Sequence, residues 1–563
     1  MKGAVIGAST VLVVLAIAAV CFVSFRGHGG KQGETAMSSS VKSIKSFCDP
    51  LDYKETCESA LQATAANATT TTDLIKAIFK ATSDRVEQAM RESAVLRDLQ
   101  NDPRTSGALS NCKELLDYAV DDLKTTFDRL GGFEVTNFKS AVDDLRTWLS
   151  SALTYQETCL DGFENATVTN AADKMRSALN ASQELTENIL AIVDEFSQTL
   201  ADLDLPSFHR RLLADKDGLP SWMPDSKRRL LLQNAPGFLK PNVTVAADGS
   251  GDVRSISEAL AMAPRKSLAT YVVYVKAGTY REYVSVPRNL TNLAVIGDGA
   301  ARTVITGSRS FAMNLTTKDT ATVEVIGNGF LMRGVGVENT AGAASHQAVA
   351  LRSQSDMSAF HECRFDGYQD TLYAHTSRQY YRDCVVTGTI DFIFGNAQVV
   401  LQNCLIQVRR CMDNQQNIVT AQGRKERRSA GGTVIHNCTV APHPELEPSV
   451  GRLRTYLGRP WKEYSRTLYI QSEIGGFVDP QGWLPWLGGF GLDTCYYAEV
   501  ENRGAGSDTS KRAKWRGVRA VTYEQAQQKY TVEHFIQGQQ WLPKLGVPFI
   551  PGLLPQNQTG RGH

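Results

Sequence analysis

A chain of 563 residues is too long for one small hydrophobic core, so two or more domains are expected. An apolar fraction of 42% and a charged fraction of 21% are those of an ordinary globular protein, and a net charge of +1 offers no overall field to draw nucleic acid. That balance hides an asymmetry: residues 38–206 carry 16 Lys+Arg against 28 Asp+Glu (−12), and residues 233–563 carry 35 against 27 (+8). The acidic part is expected to attract the basic part, and the basic part to meet an anionic partner.

The chain opens with Lys2, an apolar run from Gly3 to Phe25, and Arg26. The run is long enough to span a bilayer and has no clear small-residue cleavage site. Residues 1–37 therefore read as an uncleaved signal anchor and linker, a cleaved signal peptide being the alternative. Either sends the chain into the secretory pathway, the first with a precursor held at the membrane. Eight glycosylation sequons agree: Asn67, Asn165, Asn180, Asn242, Asn289, Asn314, Asn437 and Asn557. Eleven cysteines suit an oxidising compartment. With no Cys-x-x-Cys and no His-Glu-x-x-His, neither a metal site nor a cofactor is expected.

Residues 38–206 are nearly free of Pro and Gly and carry helical periodicity. Leu74, Ile75, Ile78 and Phe79 share a face; so do Leu115, Leu116, Ala119 and Leu123; Leu145, Trp148, Leu149 and Leu153; and Leu185, Ile189, Ile192 and Val193. Four or more amphipathic helices in this length predict a helical bundle. Cys48 with Cys57 would staple a short hairpin and Cys112 with Cys159 two longer helices, although other pairings remain open. Residues 207–238 read as a linker in which Arg210-Arg211 and Arg228-Arg229 are expected targets of a processing protease.

From residue 239 to 553 short β-branched strands punctuated by Gly replace the helical period. Cys363, Cys384, Cys404 and Cys438 recur in similar contexts at steps of 21, 20 and 34, the last lengthened by a polar loop insertion from Arg409 to Gly432. A repeat near twenty residues built of strands and turns predicts a parallel β-helix, right-handed and all-β. Residues one repeat apart then stack roughly 4.8 Å apart. Cys363–Cys384 and Cys404–Cys438 are expected disulfides on that spacing. Residues 554–563 form a tail.

The same stacking acts on the carboxylates. Asp370 and Asp391 each lie seven residues after a repeat cysteine, so they occupy equivalent positions on neighbouring rungs. Gln347 lies 22 residues before Gln369 and joins the same patch. Like charges on the order of 5 Å apart split their titrations. One carboxyl stays protonated as an acid, the other is a free nucleophile, and the amides can donate to an oxyanion. Those parts suit acyl transfer or glycosidic cleavage by a retaining glycosidase; no Gly-x-Ser-x-Gly elbow supports a serine triad.

Gly367-Tyr-Gln-Asp-Thr-Leu-Tyr373, Asp391-Phe-Ile-Phe-Gly395, His346-Gln-Ala-Val-Ala-Leu351 and Leu457-Gly-Arg-Pro-Trp461 resemble the signature blocks of plant pectin methylesterases. Residues 48–205 resemble the invertase/pectin methylesterase inhibitor-like pro-region, which implies an all-α four-helix bundle preceded by a small hairpin. The resemblance implies hydrolysis of galacturonate methyl esters in cell-wall homogalacturonan, giving pectate and methanol. It implies Asp391 as nucleophile, Asp370 as proton donor and then base, Gln347 and Gln369 as oxyanion stabilisers, and Arg459 as the group orienting the nucleophile and contacting substrate. Thr317 and Trp461 are implied substrate contacts, with Tyr368, Phe392 and Trp483 as further walls of the sugar cleft. Implied partners are methyl-esterified polygalacturonate and inhibitor proteins of the pro-region type, and the catalytic part is expected to be monomeric. Three stretches depart from the family pattern: Lys318 stands where an aromatic is usual, Arg424-Lys-Glu-Arg-Arg428 is unusually basic, and Glu499–Gly506 lacks the usual Gly-Pro loop. The expectation is an active esterase whose acidic pro-region covers the cleft until the linker is cut; a non-enzymatic wall-binding protein with a decayed site is the alternative.

Overall fold

The computed structural model describes residues 39–65, 68, 70–98, 102–130, 138–164, 169–202 and 240–556. The apolar run at residues 3–25, the paired arginines 210, 211, 228 and 229, and the sequons at Asn67, Asn165 and Asn557 lie outside them. Two units are present, one helical and one β.

The helical unit begins with α1 (Ser39–Cys48) and α2 (Lys54–Thr64), followed by four long helices: α3 (Thr71–Asp98), α4 (Pro103–Leu130), α5 (Phe138–Asp161) and α6 (Thr169–Asp202). The faces legible in the sequence turn inward. Ile78, Leu115, Leu116, Ala119, Leu123, Leu145, Leu149 and Ile189 are all fully buried. Polar groups inside this core are paired: Ser182 donates to Gln156 Oε1 (2.7 Å), and Gln156 Nε2 donates to Thr186 Oγ1 (3.1 Å). Cys48–Cys57 closes the α1–α2 hairpin and Cys112–Cys159 ties α4 to α5.

The β unit is a coil of three parallel sheets with ten, seven and eight strands. Each sheet stacks strands from successive turns of chain, and this is the right-handed parallel β-helix anticipated above. Its register produces unbroken columns. Inward, Val273, Val295, Met332, Phe360, Tyr381, Leu401, Ile435 and Tyr469 stack on successive strands of the ten-stranded sheet. The rings of Phe360 and Tyr381 lie 4.6 Å apart and nearly parallel. The opposite side of that sheet is apolar too, with Leu331, Ala359, Tyr380, Val400 and Leu468 packed against Trp541 and Leu542 of the C-terminal helix Gly538–Leu545. Both faces being covered explains why these strands read as continuous apolar runs rather than alternating ones. Helix Ile256–Met262, started by a Ser255–Glu258 capping box, contributes Ile256 and Ala259 to the inner core.

Six rungs turn sharply through a non-glycine residue directly after their strand in the ten-stranded sheet. Glu362, Asp383, Asn403, Asn437, Gln471 and Glu501 occupy that corner with φ between 49° and 57°. Asn and Asp tolerate this left-handed conformation better than most residues. The corner places the next residue inward, and in four rungs that residue is cysteine. Cys363, Cys384, Cys404 and Cys438 are nevertheless free thiols, so the expected Cys363–Cys384 and Cys404–Cys438 disulfides are absent. Stacked residues on parallel strands have parallel Cα–Cβ bonds, whereas a disulfide needs converging ones. Each thiol instead donates back to a backbone carbonyl, as Cys384 does to Phe360 (3.4 Å) and Cys438 to Leu401 (3.4 Å).

Two further expectations change. The stretch from Arg409 to Gly432 is not merely a loop, because Asn417–Gln422 is a fully buried strand paired with Ile393–Gly395 and Thr455–Gly458. Its polar flanks hid it. Asn437 is engaged within the coil: its Nδ2 donates to Asn403 Oδ1 (2.8 Å) and its Oδ1 accepts from Arg503 (3.2 Å). A glycan there would break that pairing, whereas Asn180, Asn242 and Asn314 are exposed.

Candidate active site

The site is built on the corners between the eight-stranded and seven-stranded sheets. Strand Arg364–Asp366 turns through 367–371 into Leu372–Ala374, and one rung on Val385–Gly388 turns through 389–392 into Ile393–Gly395. Leu372 pairs with Ile393, so Asp370 and Asp391, each two residues earlier, are equivalent. Both carry left-handed backbone, with φ of 64° and 51°. The same left-handed backbone serves the other corners of the coil, and here it sets two acidic residues on one patch. Backbone bonds lace the corners together: Asp370 N to Ile390 O (3.0 Å), Thr389 N to Tyr368 O (2.8 Å) and Leu372 N to Phe392 O (2.8 Å). One rung therefore separates the carboxylates, roughly 4.8 Å of axial rise. The Ala348 N–H donates to the Gln369 carbonyl (3.1 Å), the same pattern by which Asp370 bonds the Ile390 carbonyl, and this sets Gln347 level with Gln369 one rung away. Both glutamines are half-buried.

Arg459 follows strand Thr455–Gly458 and reaches Asp391 as a fork, Nε to Oδ1 at 2.9 Å and Nη2 to Oδ2 at 2.5 Å. A bidentate guanidinium fixes the plane of the carboxylate as well as its charge. Burial pushes the Asp391 carboxyl above its ordinary range, and Arg459 pulls it back down. The guanidinium carbon also lies 4.3 Å from the centre of the Trp486 ring.

An aromatic strip adjoins the carboxylates. Tyr373 and Phe394, one rung apart on the seven-stranded sheet, stack at 4.2 Å. Phe394 meets Trp461 edge-on at 5.9 Å. Gly423 makes room for that indole, because a Cβ there would stand 2.7 Å from Trp461 Cε3. The same column continues as Arg352 and Glu324, which are ion-paired. Lys318 packs beside them, 3.7 Å from Glu324 and 3.6 Å from Asp319. Its cationic end thus has acidic neighbours where an aromatic was expected. His375 behind Tyr373 is held neutral by burial, reinforced by Arg352 and Lys318. Thr317 opens the short 3-10 turn Thr317–Thr320, half-buried.

Two expected cleft walls are core residues instead. Phe392 is fully buried inside the coil, because the left-handed corner at Asp391 directs both Phe392 and Ile393 inward and leaves Phe394 on the strip. Trp483 is also interior, stacked on Tyr497 at 4.3 Å. Its neighbour Trp486 takes the position beside the site. Tyr373, Phe394 and Trp486 were not singled out from sequence. The 21-residue step that relates Asp370 to Asp391 also relates Tyr373 to Phe394, and could have found that pair. Of the departures, Glu499 is fixed by Arg512, whose guanidinium also donates to the Gly506 carbonyl, and Arg424 donates to the Tyr464 carbonyl (2.7 Å).

Fold and site together define a class, the β-helical enzymes whose site holds two carboxylates and an arginine. The Pectinesterase family model matches residues 242–539, and the Plant invertase/pectin methylesterase inhibitor model matches residues 42–192. The chain is 46% identical over 513 residues to Probable pectinesterase/pectinesterase inhibitor 21 of Arabidopsis thaliana, covering 91% of this chain and 76% of that protein. It is 40% identical over 519 residues to Pectinesterase 1 of the same plant, covering 89% and 86%. Among solved structures it is similar to pectin methylesterase from carrot, with 49% identity, a TM-score of 0.55, and coverage of 56% of this chain and 99% of that one. The chain belongs to the pectinesterase family and carries an inhibitor-type helical region before its catalytic unit.

Proposed function

We propose that this protein hydrolyses the methyl esters of homogalacturonan through an acyl-enzyme on Asp391. The observation that carries the reading is the Arg459–Asp391 fork with Asp370 one rung away. The ionised Asp391 attacks the ester carbonyl carbon, and its electrons pass to the carbonyl oxygen. Gln347 and Gln369 donate to that oxyanion. Collapse breaks the bond to methoxide, which takes the proton of Asp370 and leaves as methanol. Asp370, now a carboxylate, removes a proton from water as the water attacks the anhydride. Cleavage of the acyl bond frees galacturonic acid, which loses its proton to solvent, and returns Asp391 as carboxylate and Asp370 as acid. Trp461, Trp486 and Thr317 hold the sugars, whose apolar faces suit aromatic rings, and the buried Tyr373 and Phe394 back the Trp461 indole.

The helical unit serves as an autoinhibitory pro-region, removed at Arg210-Arg211 or Arg228-Arg229 by a processing protease. The −12/+8 charge asymmetry and the inhibitor wording in the relatives' names support this. The catalytic unit acts as a monomer in the cell wall, reached through the secretory pathway. Among the described residues no helix is long and apolar enough to cross a membrane, and a membrane-anchored precursor rests on residues 3–25. The test is methanol release from pectin by the full chain and by Gln233–His563. Methanol without chain shortening supports an esterase over a glycosidase. Wild-type methanol release by Asp391→Ala would refute the acyl-enzyme, and a fully processed product from a variant lacking all four arginines would refute the cleavage sites.

A further inference from the structure

The corner that carries Gln369 and Asp370 is gripped from outside by a residue the mechanism does not use. Val385–Gly388 pairs with Leu405–Val408, Gly388 opposite Val408, so Arg409 stands on the rung below Thr389, and Thr389 on the rung below Tyr368. A long side chain is needed to climb two rungs, and Arg409 does so. Its guanidinium carbon lies 3.9 Å from the centre of the Tyr368 ring. Its Nη2 donates to Tyr368 Oη (2.7 Å) and its Nη1 to the Gly367 carbonyl (3.4 Å). Glu445 holds the guanidinium from the next rung, accepting from Nε (3.1 Å) and from Nη2. The backbone N–H of Arg409 meanwhile donates to the Gly388 carbonyl (2.7 Å), at the entry to the corner that carries Asp391.

We propose that Arg409 is a positioning residue for the esterase reaction: by clamping Gly367 and Tyr368 it sets where the Gln369 amide and the Asp370 carboxyl stand relative to Asp391. The inference rests on the function proposed above. The corner needs such a clamp because residues 367–371 lie between two strands, outside both ladders, and turn through left-handed backbone at Asp370. A cation stacked on Tyr368 and bonded at both ends of the Gly367–Tyr368 segment supplies that constraint. Arg409 touches neither carboxylate, and its donors are engaged with Tyr368, Gly367 and Glu445. It therefore acts through the corner rather than on substrate.

The test uses the full chain with kcat and KM for methanol release, and hydrogen exchange of the peptide spanning 366–372. Arg409→Gln is expected to lower kcat about tenfold with KM within about twofold, since small misplacements of reacting groups cost rate steeply. Arg409→Lys keeps the charge opposite Glu445 but loses the planar fork, so most of the kcat loss remains. Adding Tyr368→Phe to Arg409→Gln gives no further loss, as both remove one contact. Exchange at 366–372 quickens in Arg409→Gln while the strands around it keep wild-type protection. Wild-type kcat in Arg409→Gln, full recovery in Arg409→Lys, or unchanged exchange at 366–372 overturns the proposal. Absence of methanol release from wild type overturns the proposed function instead, and the exchange comparison still decides the clamp. If Arg409→Gln does not accumulate, Arg409→Lys carries the same measurements.

Discussion

Replacing Arg459 with alanine is the sharpest probe of the site. The fork supplies two charge-assisted hydrogen bonds to a buried carboxylate. At about 4 Å between charge centres and an effective dielectric near 20, the attraction is roughly 4 kcal/mol. Arg459 is itself 22% exposed, so water takes up part of that, and about 3 kcal/mol is a fair expectation for the ionised form of Asp391. The deficit corresponds to about a hundredfold in rate at mildly acidic pH. The sign follows from the two opposed influences on Asp391. Burial raises its carboxyl and Arg459 lowers it, so removing Arg459 leaves burial unopposed and the carboxyl rises further. In the proposed mechanism the attacking species is the carboxylate, and the acid limb of kcat/KM therefore moves to higher pH in Arg459→Ala, with the deficit shrinking as pH increases. Arg459→Lys, a point charge without the fork, falls between. Methanol release measured across pH on folded protein decides it. An acid limb identical in wild type and Arg459→Ala would refute the reasoning.

Asp370→Asn removes the proposed acid and base while keeping the shape of the corner, and kcat is expected to fall by about 10²–10⁴-fold, read as methanol release. Trp483→Ala and Trp486→Ala should separate cleanly. The first opens a cavity beside Tyr497 and costs about 3–5 kcal/mol in denaturant unfolding, with kcat per folded molecule retained. The second leaves unfolding unchanged and raises KM for pectin; the reverse pattern would contradict the placement of the two rings. His436 is buried between Gln402 and Gln471, 3.0 and 3.2 Å from its ring nitrogens, and burial lowers it from 6.5 to about 4. Its folded value lies below its unfolded one, so the unfolded chain binds more protons between those pH values. Stability from this group is complete above pH 6.5 and falls by about 3 kcal/mol as pH drops to 4. His436→Gln should flatten that slope in denaturant titrations, and an unaltered slope would count against it.

The helical bundle is legible in the sequence because each long helix has one apolar face, and a 3.6-residue period survives any tertiary arrangement. The coil is legible because its repeat is written into the chain, and the same step of 21 aligns Asp370 with Asp391. Direction is harder to read. Phe392, Ile393 and Phe394 are consecutive and all apolar, and only the left-handed corner at Asp391 sends the first two inward and the third to the strip. Trp483 and Trp486 differ in the same way, since nothing local marks which indole meets Tyr497 and which meets Arg459. Spacing likewise brings the cysteines together without saying whether they bond, for parallel Cα–Cβ vectors are a property of the stacked sheet.

The sequence by itself thus determined the two units, the rung period and the adjacency of the two carboxylates, because periodicity is a one-dimensional signal. Only the tertiary structure decided which aromatic rings line the strip, that the stacked cysteines stay free, and that Arg409 reaches across two rungs to the corner bearing Asp370. Those depend on side-chain direction and on contacts between residues far apart in the chain, which no local pattern encodes.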